Sequence, residues 1–457
     1  MIDMPIAELA GMFGHHFEGD PTKRFRGVTI DSRNPCPDCL FVVIRGDHYD
    51  AHDFVESAYK NGARVAIVER PVDSDIVQIV VKNSREALAV LANHWRNQCS
   101  AVLIGLTGSN GKTTVKAMLQ QILERQGPTL ATRGNFNNDI GVPLTLFRLE
   151  KNDQYGIIEM GANHISEIAG LARTAQPDIA YVNNVSAAHL SGFGDVNGVI
   201  AAKGELYDYC LPKHSALFNL DEAATQHWMP GCLAETQLTC AMDQPADIQA
   251  NWTPSDSAVE VSFQRGTEHH QCSIEVMGEH NARNALAAVS LAVLAGVDFD
   301  KAVMNLQGFS GVGGRLQRLS GPNQSCILND SYNANPSSLE AGVKVLCSLG
   351  GRAWLALGDM GELGELALPL HQQSVARAKQ LGVEKLFTIG EFSTRVCVEF
   401  GNNGYQFDDI DEMARAIGGQ ISKDVTLLVK GSRSAGMDRL VNALQNMNSD
   451  EDLSDVG

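Results

Sequence analysis

Short apolar runs separated by polar turns mark the first part of the chain. Runs at 40–44, 65–68 and 76–81 predict strands, and the helical periodicity of 52–63 predicts a helix among them. These elements predict a small α/β domain over residues 1–98.

The pattern then changes to a buried strand at 101–106, followed by a glycine-bearing loop and a helical stretch. Further apolar strands at 156–160 and 179–185, with helical segments between them, predict a parallel sheet covered by helices. A long apolar helix begins after Gly278. We therefore expect a central domain over residues 99–314.

A glycine-rich stretch with Gly311, Gly313 and Gly314 predicts a hinge into a third domain over residues 315–457. The apolar runs SCILND, RAWLALGD, EKLFTIG and VTLLVKGS alternate there with helical patterns, which predicts another parallel α/β layer with a Rossmann-like topology. No G-x-G-x-x-G opens a helix in this part, so a dinucleotide site is unsupported. The polar and acidic residues 446–457 are expected to be disordered.

Composition limits the class of function. A chain of 457 residues, 44% hydrophobic and 20% charged, exceeds one hydrophobic core and contains no apolar run of about 18 residues, so we expect a soluble protein that does not insert into membranes. The N-terminus lacks an export signal, so we expect a cytoplasmic location, and we also expect a monomer. The formal charge of −18 argues against nucleic-acid binding, because phosphate backbones require basic patches.

Ten cysteines are scattered along the chain without a disulfide framework. Cys36 and Cys39 form a C-x-x-C pair, which raises zinc as an alternative, but no second pair with ligand spacing follows. Free thiols in a chain without an export signal fit a reducing compartment.

The glycine-bearing loop has the features of a phosphate-binding loop (P-loop). Its backbone N–H groups can turn towards phosphate oxygens, Lys112 supplies a cation for the β- and γ-phosphates, and Thr113 is the expected magnesium ligand. The common pattern G-x-x-x-x-G-K-[ST] has glycine where this chain has Leu106, so the match is to a variant, and the alternative is a solvated glycine turn. The residues expected to bind ATP here are Thr107, Gly108, Ser109, Asn110, Gly111, Lys112, Thr113 and Thr114.

Three further residues are candidates for chemistry at the γ-phosphate. Glu159 ends a predicted buried strand, where parallel sheets present residues to ligands, although an exposed acid is the alternative. His189, in SAAHLSGFGD, is a candidate metal ligand against the alternative of a solvated loop histidine. Lys203, in AAKGELYD, has by itself the pattern of a surface lysine on a helix.

Taken in order, TGSNGKTT, NFNNDIGVP, EMGANH, the AHL loop, AKGE, GEHNARN, GGR and DSYNANP resemble the motifs of the Mur ligases of bacterial cell-wall synthesis, over nearly the whole chain. The superfamily also includes folylpolyglutamate synthase. DSYNANPSS, GDMGELG and KGSR, with DSR and RGDHYDAHDF, are similar to members that add D-alanyl-D-alanine to UDP-N-acetylmuramoyl-tripeptide. Ala51, where glycine is usual, and Asp438, where glutamate is more usual, depart from that pattern.

The resemblance implies an N-terminal UDP-substrate domain, a central P-loop domain and a C-terminal Rossmann-like domain. It also implies a reaction in peptidoglycan precursor synthesis: the γ-phosphoryl of ATP passes to a carboxylate, and the amine of D-alanyl-D-alanine displaces phosphate from the acyl phosphate. Such a transfer depends on positioning and charge neutralisation.

The resemblance further implies that Thr113 and Glu159 hold one Mg²⁺, and that His189 and a carbamylated Lys203 hold a second. Mn²⁺ would suit the same oxygen ligands. A neutral lysine amine can add carbon dioxide and become an anion, which gives the carbamate a physical basis. The expected catalytic residues are Lys112, Glu159, His189 and Lys203.

On the nucleotide side, the resemblance assigns Asn281 and Asn284 to adenine and Arg315 to the phosphates, with Asp330 and Tyr332 closing over the nucleotide. From the residues alone, Asn281 and Asn284 suit a helix start equally well, and Asp330 suits a turn.

On the substrate side, the UDP part is expected at Asp31, Ser32 and Arg33 and at the loop from Gly46 to His52. Asn137 and Asn138 are expected to face the sugar and peptide. The residues expected to hold D-alanyl-D-alanine are Asn333, Asn335, Lys430, Ser432 and Arg433.

Two other functions stay open at this point. One is a ligase of the same superfamily that adds another amino acid or polyglutamate, against which DSYNANP and GDMGELG argue. The other is a nucleotide-binding regulatory or assembly protein that keeps the loop without the transfer step, against which the joint presence of Glu159, His189, Lys203 and Asp330 argues.

Overall fold

The computed structural model describes residues 1–46, 49–187, 190–255 and 258–454, with 448–454 described by their backbone alone. His189 therefore lies outside the described residues. Within them the strands form sheets of two, four, nine and six strands that follow one another along the chain. No helix in these ranges is long and apolar enough to cross a membrane.

The N-terminal part contains a two-stranded antiparallel ribbon and a four-stranded parallel sheet. The predicted strand runs form the two inner strands and one edge strand of the parallel sheet. The residues of the inner strands are all buried, whereas those of the edge strand are mostly half-buried. The elements are β1 (Asp3–Pro5), α1 (Ile6–Met12), β2 (Arg24–Arg26), β3 (Val28–Thr29), β4 (Leu40–Val42), α2 (Val55–Lys60), β5 (Val65–Val68), β6 (Val77–Val80) and α3 (Ser84–Arg96).

The central part is built on the nine-stranded sheet, in the order β15-β14-β13-β12-β11-β10-β7-β9-β8. Its strands are β7 (Val102–Thr107), β8 (Thr129–Ala131), β9 (Tyr155–Glu159), β10 (Ile179–Val182), β11 (Ser215–Asn219), β12 (Thr236–Ala241), β13 (Ile248–Pro254), β14 (Val259–Arg265) and β15 (Glu268–Ile274). Its helices are α4 (Lys112–Glu124), α5 (Gly141–Leu146), α6 (Glu167–Ala175), α7 (Leu190–Phe193), α8 (Val196–Asp208), α9 (Thr225–Trp228), α10 (Glu279–Leu294) and α11 (Phe299–Leu306).

The strands β7 to β13 run parallel, as expected of a P-loop sheet, whereas β13 to β15 form an antiparallel extension at one edge. This extension goes beyond the predicted elements. In β14, buried Val259, Val261 and Phe263 alternate with exposed polar residues, so the strand contains no continuous apolar run.

The C-terminal part is a six-stranded sheet in the order β16-β17-β21-β18-β19-β20, parallel except for the edge strand β16. Its elements are β16 (Gln317–Ser320), β17 (Cys326–Asp330), α12 (Pro336–Ser348), β18 (Arg352–Gly358), α13 (Ala367–Leu381), β19 (Lys385–Ile389), α14 (Ser393–Phe400), β20 (Gly404–Phe407), α15 (Ile410–Gly418), β21 (Val425–Lys430) and α16 (Asp438–Ser454). The three-domain α/β architecture expected from the sequence is confirmed.

The disorder expected of residues 446–457 from composition stays a prediction. The last described element, α16, runs from Asp438 to Ser454. Its first part packs Leu440, Val441 and Leu444 into the core, and the polar residues that follow extend the same helix.

Candidate active site

The loop between β7 and α4 has the backbone shape of a phosphate cradle. Gly108 and Gly111 adopt φ angles of +148° and +78°, and α4 begins directly afterwards, so its unbonded N–H groups face the loop. Leu106 lies inside β7 and is fully buried. The chain needs no glycine at that position, because the turn begins two residues later.

Lys112 folds back over this loop. Its ammonium donates to the Gly108 carbonyl at 2.6 Å, and burial lowers the pKa of Lys112 although the Glu159 carboxylate opposes the shift. Thr107 is correctly placed in the motif but its side chain is fully buried inside β7. The expected contact of Thr107 with ATP stays a prediction.

Two asparagines that follow β10 brace the loop. The Asn184 side chain accepts from the Asn110 N–H at 2.8 Å and donates to the Asn110 carbonyl at 3.1 Å. Asn183 donates to the same carbonyl at 2.8 Å and to Asn284 at 3.2 Å. Sequence reasoning missed both asparagines, although their position directly after a parallel strand was a usable signal.

Glu159, at the end of β9, is buried rather than exposed. The Thr113 hydroxyl lies 3.2 Å from its carboxylate, and Lys116 and Asn137 donate to the carboxylate at 2.9 and 3.0 Å. Burial favours the neutral acid, but Lys116 and Lys112 outweigh it and keep the pKa of Glu159 below its usual value. An ionised carboxylate beside a threonine hydroxyl is an oxygen pair that fits Mg²⁺.

Lys116 was also missed by sequence reasoning. It follows Lys112 by one helical turn, so the spacing K-x-x-x-K already placed both ammonium groups on the same face of α4.

Lys203 lies on α8 and is buried, contrary to the pattern of a surface lysine. Its ammonium sits over the Phe193 ring, 5.6 Å from the ring centroid. Burial, with help from the charge of Lys112, lowers the pKa of Lys203 to about 7. The amine is therefore partly neutral at neutral pH, which carbamate formation requires. The place of His189 beside it stays a prediction.

A cavity of about 440 Å³ opens beside the loop, between the central and C-terminal domains. Asn281 and Asn284, near the start of α10, line this nucleotide cavity. Asn284 donates to Asn281 at 3.2 Å, and Asn281 donates to the Met277 carbonyl at 2.8 Å. Asn281 thus also stabilises the start of its helix, so the two expected roles are compatible.

Arg283 completes this wall and was not among the expected site residues. It forms ion pairs with Asp221 at 2.7 Å and Asp243 at 2.8 Å, and all three residues line the nucleotide cavity. The motif HNARN could have indicated Arg283 as a site residue, because the arginine lies between the two expected asparagines.

The C-terminal domain supplies the opposite wall. Asp330 pairs with buried Lys430, which also donates to the Asn333 carbonyl at 3.0 Å. Arg315 stacks over the Tyr332 ring, 4.1 Å from its centroid. The ion pair with Asp330 holds Lys430 at the wall of the nucleotide cavity. The expected contact of Lys430 with D-alanyl-D-alanine stays a prediction.

A second cavity, of about 640 Å³, continues from the loop towards the C-terminal domain, and we call it the reaction cavity. It brings together most of the expected catalytic, sugar-side and amine-side residues. They are Lys112, Thr113, Asn137, Asn138, Glu159, Arg315, Tyr332, Asn333, Asn335, Ser432 and Arg433.

Asn335 also has a structural role. Its side chain caps α12 by accepting from the Ser338 N–H at 2.9 Å, and its amide donates to the loop residue Asn110 at 2.8 Å. Asn110 in turn donates to Ser337 at 3.0 Å. The phosphate loop and the C-terminal domain are therefore joined directly by hydrogen bonds.

A third, open cleft of about 1400 Å³ lies between the N-terminal and central domains and contains Asp31, Ser32 and Arg33. Hydrogen bonds from Arg33 lower the pKa of Asp31 to about 2, so this pair is charged. Asn138 also lines this cleft.

In the loop from Gly46 to His52, residues 47 and 48 lie outside the described part of the chain, and the described residues meet this cleft only in part. Tyr49 and Ala51 line it, whereas His52 is buried beside it. The His52 ring bonds the Asp50 carboxylate at 2.6 Å and accepts from the Glu69 N–H at 2.9 Å. His52 thus shapes the loop from inside and, like Gly46, is not among the residues that line the cleft. The expected contact of these two residues with the UDP part stays a prediction.

The C-x-x-C pair lies at the edge of the same cleft, where Cys36 is half-buried and Cys39 is buried. Among the described residues, no group of three histidine, cysteine or acidic side chains is placed to hold a metal ion.

Comparison with known proteins agrees with this fold. Three family profiles match consecutive parts of the chain: "Mur ligase family, catalytic domain" at 24–96, "Mur ligase middle domain" at 106–292 and "Mur ligase, glutamate ligase domain" at 314–433. The UDP-N-acetylmuramoyl-tripeptide–D-alanyl-D-alanine ligase of Escherichia coli (strain K12) is 37% identical over 449 residues, which is 97% of this chain and 99% of that protein. The enzyme of the same name from Bacillus subtilis (strain 168) is 30% identical over 92% of this chain and 93% of that protein.

Solved structures are similar over the same length. MurF from Acinetobacter baumannii superimposes with a TM-score of 0.89 at 32% identity, covering 96% of this chain and 98% of that one. MurF of Thermotoga maritima in complex with ADP shares the fold, with a TM-score of 0.84 at 24% identity over 93% and 98% of the two chains. The chain belongs to the Mur ligase family.

Proposed function

We propose that this chain is an ATP-dependent ligase that joins D-alanyl-D-alanine to UDP-N-acetylmuramoyl-tripeptide in cytoplasmic peptidoglycan precursor synthesis. Relatives that carry this activity in their names match almost the full length of the chain. The observation that supports the chemistry most directly is the reaction cavity. There Lys112 and Glu159 from the central domain face Asn333 and Arg433 from the C-terminal domain.

The reaction proceeds in two steps. An oxygen of the tripeptide carboxylate bonds to the γ-phosphorus of ATP while the bond to the β-phosphate oxygen breaks, which releases ADP and leaves an acyl phosphate. The amine of D-alanyl-D-alanine then attacks the acyl carbon, inorganic phosphate leaves, and the amine loses a proton. Two anions meet in the first step, so Lys112 and Arg315 are needed to neutralise charge.

Thr113 and Glu159 would hold one Mg²⁺ (Mn²⁺ has the same ligand preference), because the hydroxyl and carboxylate converge within 3.2 Å. Lys203, as a carbamate, and His189 would hold a second. When bound, these ions supply positive charge to the phosphate oxygens. Within the chain itself, Asn137 and Lys116 keep the Glu159 carboxylate fixed and ionised.

The lining of the three cavities supports a proposed place for each substrate. The nucleotide cavity, with Asn281, Asn284 and Asp330, would take ATP. The open cleft would take the UDP part, since among the described residues four arginines line it against one carboxylate, that of Asp31, a charge balance that suits a diphosphate. Those arginines are Arg26, Arg33, Arg133 and Arg148.

The amine would enter between the central and C-terminal domains. Asn333, Ser432 and Arg433 line the reaction cavity from the C-terminal side, where they would position D-alanyl-D-alanine. We also expect the enzyme to act as a monomer.

The decisive measurement is phosphate release from ATP with UDP-N-acetylmuramoyl-tripeptide, with and without D-alanyl-D-alanine. We expect release to require both, with one new peptide bond per phosphate. Release with the tripeptide and a different amino acid would keep the family and change the substrate. Release that needs neither would indicate a regulatory nucleotide-binding protein instead.

A further inference from the structure

The C-x-x-C pair of the N-terminal domain is a motif that the proposed reaction does not use. Cys36, Pro37, Asp38 and Cys39 form a tight turn, in which the Cys39 N–H donates to the Cys36 carbonyl at 3.3 Å. Proline at the second position and a left-handed residue at the third, Asp38 with a φ of +63°, fit a type II turn. Such a turn holds its first and last Cα atoms within about 7 Å, close enough for a disulfide to bridge them.

The two thiols of this turn interact with each other and differ in exposure. Burial raises the pKa of Cys39, and a hydrogen bond between the Cys39 and Cys36 thiols raises it further. Cys39 is fully buried, whereas Cys36 is half-buried and lines the open cleft. This difference determines which thiol reacts first, because a reagent in the cleft meets Cys36 and not Cys39.

Hydrogen bonds join the turn to segments that line the cleft. The Asp38 carbonyl accepts from the Arg26 N–H at 2.7 Å, and the Cys36 N–H donates to the Asn61 carbonyl at 2.9 Å. The Asn61 side chain donates to the Ser32 carbonyl at 2.6 Å. Because Arg26 and Ser32 both line the cleft, a change in the shape of the turn would reach the wall where the UDP part is proposed to bind.

We propose that Cys36 and Cys39 form a thiol–disulfide exchange site, and that the disulfide between them weakens binding of the UDP part in the open cleft. The co-reactant is a small disulfide of the class of oxidised glutathione. The exchange site itself does not depend on the proposed function, whereas its effect on UDP binding rests on that function.

The exchange has two steps. The Cys36 sulfur, having lost its proton, attacks one sulfur of the small disulfide, whose S–S bond breaks and releases one thiolate. The Cys39 sulfur then loses its proton and attacks the Cys36 sulfur, the mixed disulfide breaks, and a second thiolate leaves. The two cysteines thus lose two electrons and two protons. The small disulfide takes up the electrons, and the two released thiolates take up the protons.

The central domain contains a thiol pair for comparison. A hydrogen bond between the Cys210 and Cys232 thiols lowers the pKa of Cys232. Both of these side chains are buried, so neither sulfur is open to a reagent in solution. We expect this pair to stay reduced under conditions that oxidise Cys36 and Cys39, because the rate of exchange depends on access as well as on thiol pKa.

The test is disulfide mapping of the full-length protein equilibrated with reduced and oxidised glutathione, in which free thiols are alkylated before digestion and mass spectrometry. We expect a disulfide between Cys36 and Cys39 that dithiothreitol reverses. Cys39→Ser should stop at a mixed disulfide between Cys36 and glutathione, and Cys36→Ser should leave Cys39 free. Cys347→Ser, at a half-buried position of α12, is the matched control and should form the disulfide like the wild type.

Folding is controlled for in the same set by thermal unfolding without glutathione. Cys39 packs in the core of the N-terminal domain, so Cys39→Ala replaces Cys39→Ser if the serine variant melts below the wild type. Both replacements remove the second sulfur and should stop the exchange at the same mixed disulfide.

Calorimetric titration of UDP into the reduced and the oxidised protein tests the effect on the cleft. Oxidation should weaken UDP binding of the wild type about fivefold, which corresponds to the loss of one hydrogen bond, and should leave the UDP affinity of Cys36→Ser unchanged. A wild type in which Cys36 and Cys39 remain thiols, or in which Cys210 and Cys232 form a disulfide first, would overturn the exchange site.

The effect on the cleft has its own contrary result. A disulfide between Cys36 and Cys39 that leaves UDP affinity unchanged would overturn it. A protein that binds UDP in neither state would refute the proposed place of the UDP part, whereas the disulfide map would still establish the exchange site.

Discussion

At the scale of single residues, the site depends on buried charges that neutralise one another. Glu159 is ionised because Lys116 and Lys112 outweigh its burial. For Lys203, burial and the charge of Lys112 outweigh the carboxylates of Glu167 and Glu205, so the pKa falls to about 7. The buried site thus keeps the Glu159 carboxylate charged and leaves the Lys203 amine partly neutral.

Carbamylation of Lys203 should follow its pKa. The neutral amine adds carbon dioxide, so the carbamate should be scarce below pH 6 and rise as pH increases through about 7, where an ordinary lysine would still be protonated. With ¹³C-bicarbonate, a carbamate signal should appear by NMR over this range and be absent in Lys203→Met. A signal that rises only near pH 10 would show that the lysine is solvated.

The ion pair between Lys116 and Glu159 should be measurable in stability. Lys116→Met leaves a buried carboxylate with less compensation, so the free energy of unfolding should fall by about 3 kcal/mol in urea without Mg²⁺. Adding Mg²⁺ with a nucleotide should restore part of this loss, since both bind beside Glu159. Lys151→Met, at an exposed turn, serves as the control. An unchanged unfolding midpoint for Lys116→Met would show that the ion pair does not contribute to the stability of the fold.

At the scale of elements, close neighbours restrict which residues the junction between β7 and α4 can contain. Gly111 adopts a left-handed conformation as the residue before α4. A Cβ atom added there would lie 2.5 Å from Asn284 Oδ1 and 2.6 Å from Asn183 Nδ2. The glycine therefore allows the loop to approach both the end of β10 and the start of α10.

Gly111→Ala should consequently weaken ADP binding more than backbone strain alone predicts. Gly266→Ala is the matched control, because Gly266 also has a positive φ, +58°, but nothing lies within 4 Å of its added Cβ. Both variants should lose about 1 kcal/mol of stability through left-handed strain. Only Gly111→Ala should also displace the two asparagines and lower ADP affinity in calorimetry. Equal ADP affinity in the two variants would show that the close contacts are unimportant.

At the scale of the whole molecule, the sequence was sufficient to predict structure that residues close together in the chain form with one another. The strand, loop and helix around Lys112 were predictable because neighbouring residues form them, and Glu159 was predictable as a strand end. The bracing of Asn110 by Asn183 and Asn184 depends on which strands are neighbours in the sheet, which no local pattern contains. The hydrogen bonds of the His52 ring could not be predicted for a related reason, since only the folded structure shows that ring bonded inside its own domain.

The contact between domains gives a last prediction. Asn335 caps α12 and also donates to Asn110 in the phosphate loop, so one side chain serves both a helix and the interface between the central and C-terminal domains. Serine is an equally good N-cap but is too short to reach Asn110. Asn335→Ser should therefore keep the free energy of unfolding within about 1 kcal/mol of the wild type while it loosens the two domains.

The loosening should appear as a larger radius of gyration by small-angle X-ray scattering of the free protein. One lost hydrogen bond of about 1 kcal/mol changes the ratio of closed to open forms about fivefold, so the KM for D-alanyl-D-alanine should rise by up to that factor. Asn83→Ser, at the N-cap of α3 within the N-terminal domain, makes the same replacement away from the interface and should change neither quantity. If Asn335→Ser matches Asn83→Ser in both measurements, domain closure does not depend on the bond between Asn335 and Asn110, and other contacts must join the two domains.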